Sequence, residues 1–386
     1  MHRALATVNL ESIRHNLASL QGRLSPGTSL MAVVKADGYG HGAAEVARAA
    51  QEAGAAALGV ATAGEAVSLR DAGIEGPIVV LGPLTGAGLE AAVHAGAEVT
   101  LWSEQFIREL VRVGRVMKHP IRVHIKVDTG MHRLGLYPRR LPGFLDAIDT
   151  EPEIELAGVM SHFATADEAG GVAGGEAGPE DSGQDGDFFH YQLKAFEEAI
   201  QPVILRTPGK ITYHCANSAA TIGFPQAHFD MVRCGIAVYG LSPFQADPFA
   251  DGLRPALRLT SYVADVKRLT EGDSVGYGRS WIAPRNTHIA VIPIGYGDGF
   301  SRGLSSRGRV LIGGRPYPVV GRVSMDIITA DLGGDGPAIR HGDEVVLIGR
   351  QGEEVILAEE LAAALGTINY EITCNLSSRV ERRYEG

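Results

Sequence analysis

The first two thirds of the chain alternate between short apolar runs and longer segments whose apolar residues recur at helical spacing. Residues 30–34 are continuously apolar, which is typical of a strand buried on both faces of a parallel sheet. Residues 41–53 are rich in alanine and carry Glu45 and Arg48 as the polar side of a helix. The same unit then recurs, and its helices include one near residues 62–72, with Thr62 and Glu65 as a capping box, and one near residues 188–200. We expect eight strands, at residues 30–34, 57–60, 77–81, 98–102, 121–127, 154–160, 210–214 and 230–233.

Eight strand–helix alternations within roughly 240 residues predict a closed (β/α)8 barrel of the TIM type. The pattern alone does not prove closure, so a doubly wound open sheet is the alternative. From about residue 253 the helical periodicity fades, and short β-type runs separated by Gly, Pro and Asp predict a mainly β domain. We therefore expect a barrel over residues 9–252 and a C-terminal β domain over residues 253–386. A strand within residues 1–8 is assigned to the β domain.

Residues 168–187 interrupt the pattern after the sixth strand. This stretch is rich in Gly, Asp and Glu and almost free of apolar side chains, so it predicts a flexible loop. Loops that follow barrel strands emerge on the catalytic face. A lid and a passive insertion both remain open as its role.

Composition narrows the class of protein. The formal net charge is −10, which argues against a nucleic-acid or anionic-membrane partner. No apolar segment reaches membrane-spanning length, and the N-terminus lacks the apolar core of a signal peptide. Cys215, Cys234 and Cys374 are widely spaced and odd in number. This pattern favours reduced thiols in a cytoplasmic protein and predicts neither a disulfide framework nor a metal site.

Charged and polar side chains follow several predicted barrel strands. They are Lys35 after the first strand, Arg133 after the fifth, His162 after the sixth, Asn217 and Ser218 after the seventh, and Arg233 at the eighth, where the backbone N–H groups of Gly235 and Ile236 follow. Each has an ordinary interpretation when taken alone, such as a buried core histidine, an ion pair at the rim or a helix cap. Because closure brings all these strand ends to one mouth, their joint placement favours a binding site.

The donor set suits a phosphorylated, aromatic cofactor that bears a carbonyl group, and pyridoxal phosphate matches this description. Burial at a strand end favours the neutral, nucleophilic form of a lysine amine, which makes Lys35 suited to Schiff-base formation. Ser218 and the backbone amides of Gly235 and Ile236 suit the phosphate. An arginine suits the neighbourhood of the ring nitrogen.

Seven motifs in order carry a resemblance to a known family. They are K-A-D-G-Y-G-H-G at 35–42, K-V-D-T-G-M-H-R-L-G at 126–135, S-H-F-A-T-A-D-E at 161–168, V-G-Y-G-R-S-W at 275–281, I-P-I-G-Y-G-D-G at 292–299, G-R-V-S-M-D at 321–326 and G-T-I-N-Y-E at 366–371. With these motifs the chain resembles alanine racemases over essentially its whole length. The resemblance implies a barrel followed by a β domain. It also implies a homodimer in which the partner's β domain completes each active site.

The resemblance further implies a two-base racemisation of alanine that supplies D-alanine for peptidoglycan. Lys35 would bear pyridoxal phosphate and handle the α-proton of the D-enantiomer, and Tyr277 would be the second base, for the L-enantiomer. His162 would pack on the pyridine ring and Arg233 would face its nitrogen. Arg133 would lie near the cofactor phenolic oxygen and the substrate carboxylate.

Other positions take their expected roles from the same resemblance. Tyr39 and Tyr370 would bind the cofactor phosphate, and Tyr296 and Met325 would line the substrate pocket from the other subunit. Lys126 matches a lysine that is carbamylated in some relatives, where it orients the neighbouring arginine. The chain departs from many relatives, which carry Cys where it has Ser324.

Three alternatives remain at this point. The scaffold could racemise serine or another small amino acid, because excluding one methylene group is worth only about 1–3 kcal/mol. A non-catalytic protein that binds pyridoxal phosphate on a similar barrel would lack the β domain and the second base. A decarboxylase on a related scaffold would release CO₂.

Overall fold

The computed structural model describes residues 3–168, 184–207, 209, 211–334 and 336–386. The chain divides into two compact units. The barrel unit comprises Arg14–Gly38 and Ala43–Val238, and the β unit comprises Met1–Ile13, Tyr39–Gly42 and Tyr239–Gly386.

The division places residues 9–13, 39–42 and 239–252 with the β unit, whereas the sequence assigns them to the barrel. Residues 39–42 group there because Gly40 and Gly42 lie directly against its C-terminal part. A Cβ atom at Gly40 would collide with the carbonyl of Thr373, and one at Gly42 would collide with the hydroxyl of Tyr384. The boundaries at 9–252 and 253–386 stay a prediction for the domains.

The first described strand, β1 (Leu5–Asn9), belongs to the β unit. The next eight form the sheet of the barrel unit: β2 (Ser29–Val33), β3 (Ala57–Val60), β4 (Ile78–Val80), β5 (Glu98–Leu101), β6 (Ile121–Lys126), β7 (Ile154–Met160), β8 (Thr212–His214) and β9 (Met231–Cys234). They pair in parallel in the order β8-β7-β6-β5-β4-β3-β2-β9. The N–H groups of Asp230 and Arg233 donate to the carbonyls of Tyr213 and Ala216, which brings β9 beside β8. The predicted (β/α)8 barrel is confirmed, and the open doubly wound sheet is wrong.

The helices up to residue 223 are α1 (Leu10–Gln21), α2 (Ala43–Glu52), α3 (Ala63–Asp71), α4 (Gly86–His94), α5 (Glu104–Met117), α6 (Leu141–Asp149), α7 (Gln184–Arg206) and α8 (Ser218–Gly223). Helix α3 begins with the predicted capping box, in which Thr62 and Glu65 each accept the other's backbone N–H. Helix α7 begins before the predicted start at residue 188, so residues 184–187 of the expected loop are helical. Residues 169–183 of that loop lie outside the described residues.

The β unit is built mainly from antiparallel strands. They are β10 (Leu257–Tyr262), β11 (Asp265–Leu269), β12 (Ser274–Val275), β13 (Trp281–Ile282), β14 (Thr287–Ile292), β15 (Arg309–Ile312), β16 (Arg315–Pro318), β17 (Ile328–Gly333), β18 (Glu344–Gln351), β19 (Glu354–Ile356) and β20 (Glu381–Glu385). The largest sheet has the order β16-β15-β18-β10-β1-β20. Strand β1 therefore joins this sheet, as the sequence predicted.

Strand β19 pairs with β18 at the side of this sheet, and two further sheets have the orders β11-β14-β17 and β12-β13. Helices α9 (Ala358–Leu365) and α10 (Asn369–Cys374) precede the last strand. Among the helices that the structure describes, none combines the length and the apolar character needed to cross a membrane.

Candidate functional site

Lys35 stands where β2 ends and the chain turns away from the sheet. The turn Lys35–Tyr39 is left-handed: Ala36, Asp37 and Gly38 have φ between 52° and 59° with ψ between 46° and 51°, and Tyr39 has φ 52°. Glycine adopts this conformation freely, whereas each L-residue in it costs about 1–2 kcal/mol. The backbone is therefore strained immediately beside Lys35.

His162 follows β7 and lies near several positive charges. Desolvation lowers the pKa of His162 well below its ordinary value, and nearby cations lower this pKa further. The cations are Arg233, Lys126, Arg133 and Lys35. The imidazole is therefore neutral at pH 7, at the centre of a cationic cluster.

Lys126 ends β6 within the same cluster. Desolvation lowers the pKa of Lys126 to about 8, with Arg233, Arg133 and Lys35 acting in the same direction and Asp128 opposing them. At pH 7 a lysine with this pKa keeps about one-tenth of its amine neutral, which is far more than an ordinary lysine with a pKa of about 10.4. The amine is consequently available for reaction near neutral pH.

Arg233 in β9 is buried, and its two terminal nitrogens are fully engaged. Nη1 donates to Nδ1 of His214 at 3.1 Å and to the carbonyl of His214 at 2.8 Å. Nη2 donates to Nδ1 of His162 at 3.0 Å and to the carbonyls of Ser161 and Cys215 at 2.7 and 3.1 Å. Its Nε donates to no residue that the structure describes. One N–H of a buried guanidinium thus remains available for a ligand.

The residues expected at a phosphate meet around the hydroxyl of Ser218. Its Oγ accepts from the N–H of Gly235 at 3.0 Å and from the N–H of Ala237 at 3.4 Å. Ile236 lies between these two donors in sequence. Asn217 caps α8, because its Oδ1 accepts from the N–H of Ala220 at 3.0 Å. The structure therefore brings these four predicted positions together, two at the start of α8 and two in the loop that follows β9.

The β unit brings together the two tyrosines that were expected at the phosphate. The ring centroids of Tyr39 and Tyr370 are 6.0 Å apart, and Tyr39 also packs 5.0 Å from Tyr239. Tyr39 is buried. This aromatic cluster holds the end of the K-A-D-G-Y motif against the segment that carries T-I-N-Y-E.

Tyr277, Tyr296 and Met325 are exposed in the β unit, at 72%, 43% and 51% of their full surface. The loops of Tyr296 and Met325 are adjacent, since the N–H of Tyr296 donates to the carbonyl of Ser324 and the N–H of Gly297 donates to that of Met325, each at 3.0 Å. Aromatic and methionine side chains are enriched at protein–protein interfaces.

Comparison with known proteins decides the family. Residues 8–243 match the family "Alanine racemase, N-terminal domain", and residues 256–384 match "Alanine racemase, C-terminal domain". The chain belongs to the alanine racemase family. Alanine racemases are isomerases, so the predicted resemblance and enzyme class are confirmed.

Full-length similarity supports this membership. The alanine racemase of Symbiobacterium thermophilum is 44% identical over 381 residues, which cover 99% of this chain and 97% of the relative. The crystal structure of alanine racemase from D-cycloserine-producing Streptomyces lavendulae has a TM-score of 0.91 at 38% identity and covers 100% of this chain and 98% of its own. The structure of Bacillus anthracis alanine racemase with bound L-Ala-P has a TM-score of 0.89 at 36% identity, with coverage of 100% and 96%.

Sequence reasoning missed three polar residues in the barrel. Nδ1 of His124 lies 2.8 Å from Nε2 of His214, and Nε2 of His124 lies 2.6 Å from Oε2 of Glu98. Together they connect Arg233 to Glu98 across the interior. His124 could have been found, because it lies two positions before Lys126 on β6 and so points to the same face. Glu98 and His214 carry no comparable local signal.

Proposed function

We propose that this protein interconverts L-alanine and D-alanine by a two-base mechanism that depends on pyridoxal 5'-phosphate. The observation that carries the proposal is that Arg233 Nη2 lies 3.0 Å from Nδ1 of the neutral His162, whose pKa the charges of Lys35, Lys126 and Arg133 also lower. These residues lie at the carboxyl ends of the strands in a chain that matches alanine racemases along its length.

The residues present fit pyridoxal phosphate. Four neighbouring cations repel one another, which raises the free energy of keeping each of them charged. Anionic groups bound among them would lower that free energy. A phosphate, a phenolic oxygen and a substrate carboxylate supply such groups. The unused Nε–H of buried Arg233 suits an acceptor such as an unprotonated ring nitrogen. Because a guanidinium keeps its proton, that nitrogen would stay unprotonated.

The geometry and the family resemblance support an assignment of the residues that would hold the cofactor. Lys35 Nζ would bind the carbonyl carbon, His162 would stack on the ring, and Arg233 would face the ring nitrogen. The phosphate would be held by Tyr39, Asn217, Ser218, Gly235, Ile236 and Tyr370. Arg133 would hold the substrate carboxylate beside the phenolic oxygen, and Tyr296 and Met325 would limit the size of the substrate side chain.

When bound, pyridoxal phosphate supplies a conjugated electron sink for the electron pair that remains after the α-proton leaves. The chain's own residues then move the protons. Lys35 Nζ takes the α-proton of D-alanine on one face of the α-carbon, and Tyr277 Oη takes that of L-alanine on the other face. Each base returns a proton on its own side, so removal on one face and return on the other invert the configuration.

Once carbamylated, Lys126 would orient the guanidinium of Arg133. Its pKa of about 8 leaves neutral amine available to react with CO₂. Carbamate formation would replace a positive charge by a negative one beside Arg133. The negative group would orient that guanidinium by a charge-assisted hydrogen bond.

The proposed assembly is a homodimer with shared active sites. In it, each subunit contributes Tyr277, Tyr296 and Met325 to the active site of its partner. Their exposure in the β unit supports this arrangement. Mixing two inactive variants, Lys35→Ala and Tyr277→Ala, would test it. Random exchange of subunits makes half of the dimers mixed, each with one intact site, so about one-quarter of the wild-type activity should return. No recovery after subunit exchange would overturn the shared site.

We propose that the enzyme works in the cytoplasm and supplies D-alanine for peptidoglycan. The thiols of Cys215 and Cys234, which form no disulfide, are consistent with a reducing compartment. Growth of a bacterium that lacks its own alanine racemase, with and without added D-alanine, would test the supply role.

The direct test uses purified protein with added pyridoxal phosphate. We expect borohydride to fix the cofactor on Lys35, as located by peptide mass spectrometry, and D- and L-alanine to interconvert. Turnover of serine and lysine should be lower than that of alanine. Faster turnover of serine would favour the serine alternative, and CO₂ release without racemisation would identify a decarboxylase. Cofactor binding without turnover of any amino acid would favour a non-catalytic protein.

A further inference from the structure

The strained turn after Lys35 is held by a residue from a different strand–helix unit. The Glu65 carboxylate accepts from the N–H of Ala36 through Oε1 at 2.7 Å. Its Oε2 accepts from the N–H of Ala61 at 2.7 Å and from that of Thr62 at 3.0 Å. One carboxylate therefore joins the turn after β2 to the segment between β3 and α3.

Helix capping explains only one of these three contacts. A capping box requires the carboxylate to accept the N-cap N–H, which here is that of Thr62. The contact with Ala36 spans 29 residues of sequence and adds nothing to the cap. It instead satisfies the first N–H of the left-handed turn, at the residue that directly follows Lys35.

Two further hydrogen bonds of the turn are local. The N–H of Gly38 donates to the carbonyl of Val34 at 2.9 Å. Oδ1 of Asp37 accepts from the N–H of Ala43 at 3.0 Å, at the start of α2. A strained conformation persists only where its surroundings over-determine it. Glu65 provides the carboxylate contact from outside the segment.

We infer that Glu65 is a positioning residue for Lys35. Its carboxylate holds the left-handed turn and thereby fixes the direction in which the Lys35 side chain leaves the end of β2. This inference rests on the proposed function, in which Lys35 Nζ binds pyridoxal phosphate. Glu65 itself touches neither the cofactor nor the substrate in this account.

Thr62→Ala is the matched control for Glu65→Gln. Thr62 Oγ1 accepts from the N–H of Glu65 at 3.2 Å, so its removal weakens the same helix cap and leaves the contact with Ala36 in place. A purely structural Glu65 would make the two variants behave alike. A positioning Glu65 would separate them.

The experiment uses cofactor-free full-length protein and two measurements. The first is the ¹³Cα and ¹³Cβ chemical shifts of Ala36, which report its backbone conformation. The second is the rate at which added pyridoxal phosphate attaches to Lys35, measured by borohydride quenching and peptide mass spectrometry. We expect Glu65→Gln to move the Ala36 shifts away from left-handed values and to slow attachment at least tenfold. Thr62→Ala should keep the shifts and stay within twofold of the wild-type rate.

A rescue variant guards against a general folding defect. Glycine adopts the left-handed conformation without help. The double variant Ala36→Gly with Glu65→Gln should therefore recover at least threefold of the lost attachment rate. A helix-cap defect at residue 65 would not respond to glycine at residue 36.

Equal rates for Glu65→Gln and the wild type, or equal slowing by Glu65→Gln and Thr62→Ala, would overturn the assignment. Absence of attachment at Lys35 in the wild-type protein would overturn the proposed function, and with it the role of Glu65 toward the cofactor. The two failures are distinguishable, because the second appears in the wild type and the first only in the variants.

Discussion

Nη1 of Arg233 lies 3.1 Å from Nδ1 of His214, and this contact fixes the direction of a hydrogen-bonded row through the barrel. A guanidinium only donates, so Nδ1 of His214 accepts and the imidazole carries its proton on Nε2. That proton points to Nδ1 of His124, at 2.8 Å, and His124 in turn donates from Nε2 to Glu98 at 2.6 Å. The row thus links a buried cation to a carboxylate through two oriented imidazoles.

The buried imidazoles should make stability fall on the acid side of neutrality. Desolvation lowers the pKa of both His162 and His214 well below the ordinary value of 6.5, and nearby charges lower it further. Between the folded and unfolded pKa values the unfolded chain binds more protons, so stability rises with pH there and is lost as pH falls below about 6.5. Denaturant unfolding of cofactor-free protein at pH 7, 6 and 5 should show this loss. Each imidazole should contribute at most about 1.4 kcal/mol per pH unit.

His214→Gln should reduce that slope, because the replacement does not titrate. His119 is exposed, so His119→Gln serves as the control and should leave the slope unchanged. An unchanged slope in His214→Gln would contradict the neutral, buried state of His214.

Glu98→Gln should destabilise the protein most at neutral pH. Desolvation raises the pKa of Glu98, but the hydrogen bonds from His124 and Arg122 and the positive charge of Arg122 outweigh it and leave the pKa below its ordinary value of 4.5. The carboxylate therefore contributes stability that is present above pH 4.5 and is lost as pH falls through its folded pKa. We expect a loss of about 1.5–3 kcal/mol at pH 7, as for hydrogen bonds to charged groups, and a smaller loss at pH 4.

Glu155→Gln is the control for Glu98→Gln. Glu155 contacts the same Arg122 through an ion pair whose two side chains are each half exposed, and it has no contact with His124 among those the structure describes. Exposed pairs of this kind contribute about 0.2–1 kcal/mol. Equal losses in the two variants would show that the row to His124 adds nothing to stability.

Tyr277→Phe should affect the two enantiomers differently. If Tyr277 handles only the α-proton of L-alanine, its loss should abolish exchange of that proton with solvent. Exchange from D-alanine, which uses Lys35, should be partly retained. Deuterium incorporation followed by NMR measures both rates. Equal loss for both enantiomers would rule out the assignment of the second base.

The fold should tolerate Tyr277→Phe, because this side chain is 72% exposed in the β unit. The free energy of unfolding should change by less than about 0.5 kcal/mol. Tyr191, which is 61% exposed on the barrel unit, provides the matched control. Tyr191→Phe should leave both exchange rates as in the wild type.

Lys126 should form a carbamate with dissolved CO₂. With a pKa of about 8, its amine is about half neutral at pH 8, where an ordinary lysine is almost fully protonated. Protein equilibrated with ¹³C-bicarbonate should therefore show one carbamate signal in its ¹³C NMR spectrum. Lys126→Arg should remove the signal. Lys267→Arg, at an exposed position, should retain it, and a signal that survives Lys126→Arg would point to another amine.

Local pattern was sufficient to locate Lys35, because an apolar run that ends in a charge marks the end of a buried strand. It also located Thr62 and Glu65 as a helix cap, because the residues that form a capping box lie within four consecutive positions. The second contact of Glu65 could not be predicted, because it joins segments 29 residues apart and depends on a left-handed turn. Helix α7 begins before its predicted start because the polar residues ahead of it hide the helical periodicity.

The contacts inside the barrel could be predicted only in part from the sequence. Strand alternation can place His124 on the same face as Lys126, but it cannot say that His214 and Glu98 stand opposite. Those contacts depend on how β5, β6 and β8 are arranged around the ring. The exposed side chains of Tyr277, Tyr296 and Met325 raise a similar problem, because a single chain does not specify what covers them.

The row from Arg233 to Glu98 occupies space that many barrels of this type fill with branched aliphatic side chains. Replacing His124 or His214 with leucine or phenylalanine to raise the melting temperature would instead remove hydrogen-bond partners from buried polar groups, because His124 contacts Glu98 and His214 contacts Arg233. Thermostabilisation of this scaffold should therefore target the outer helices and leave its polar centre intact.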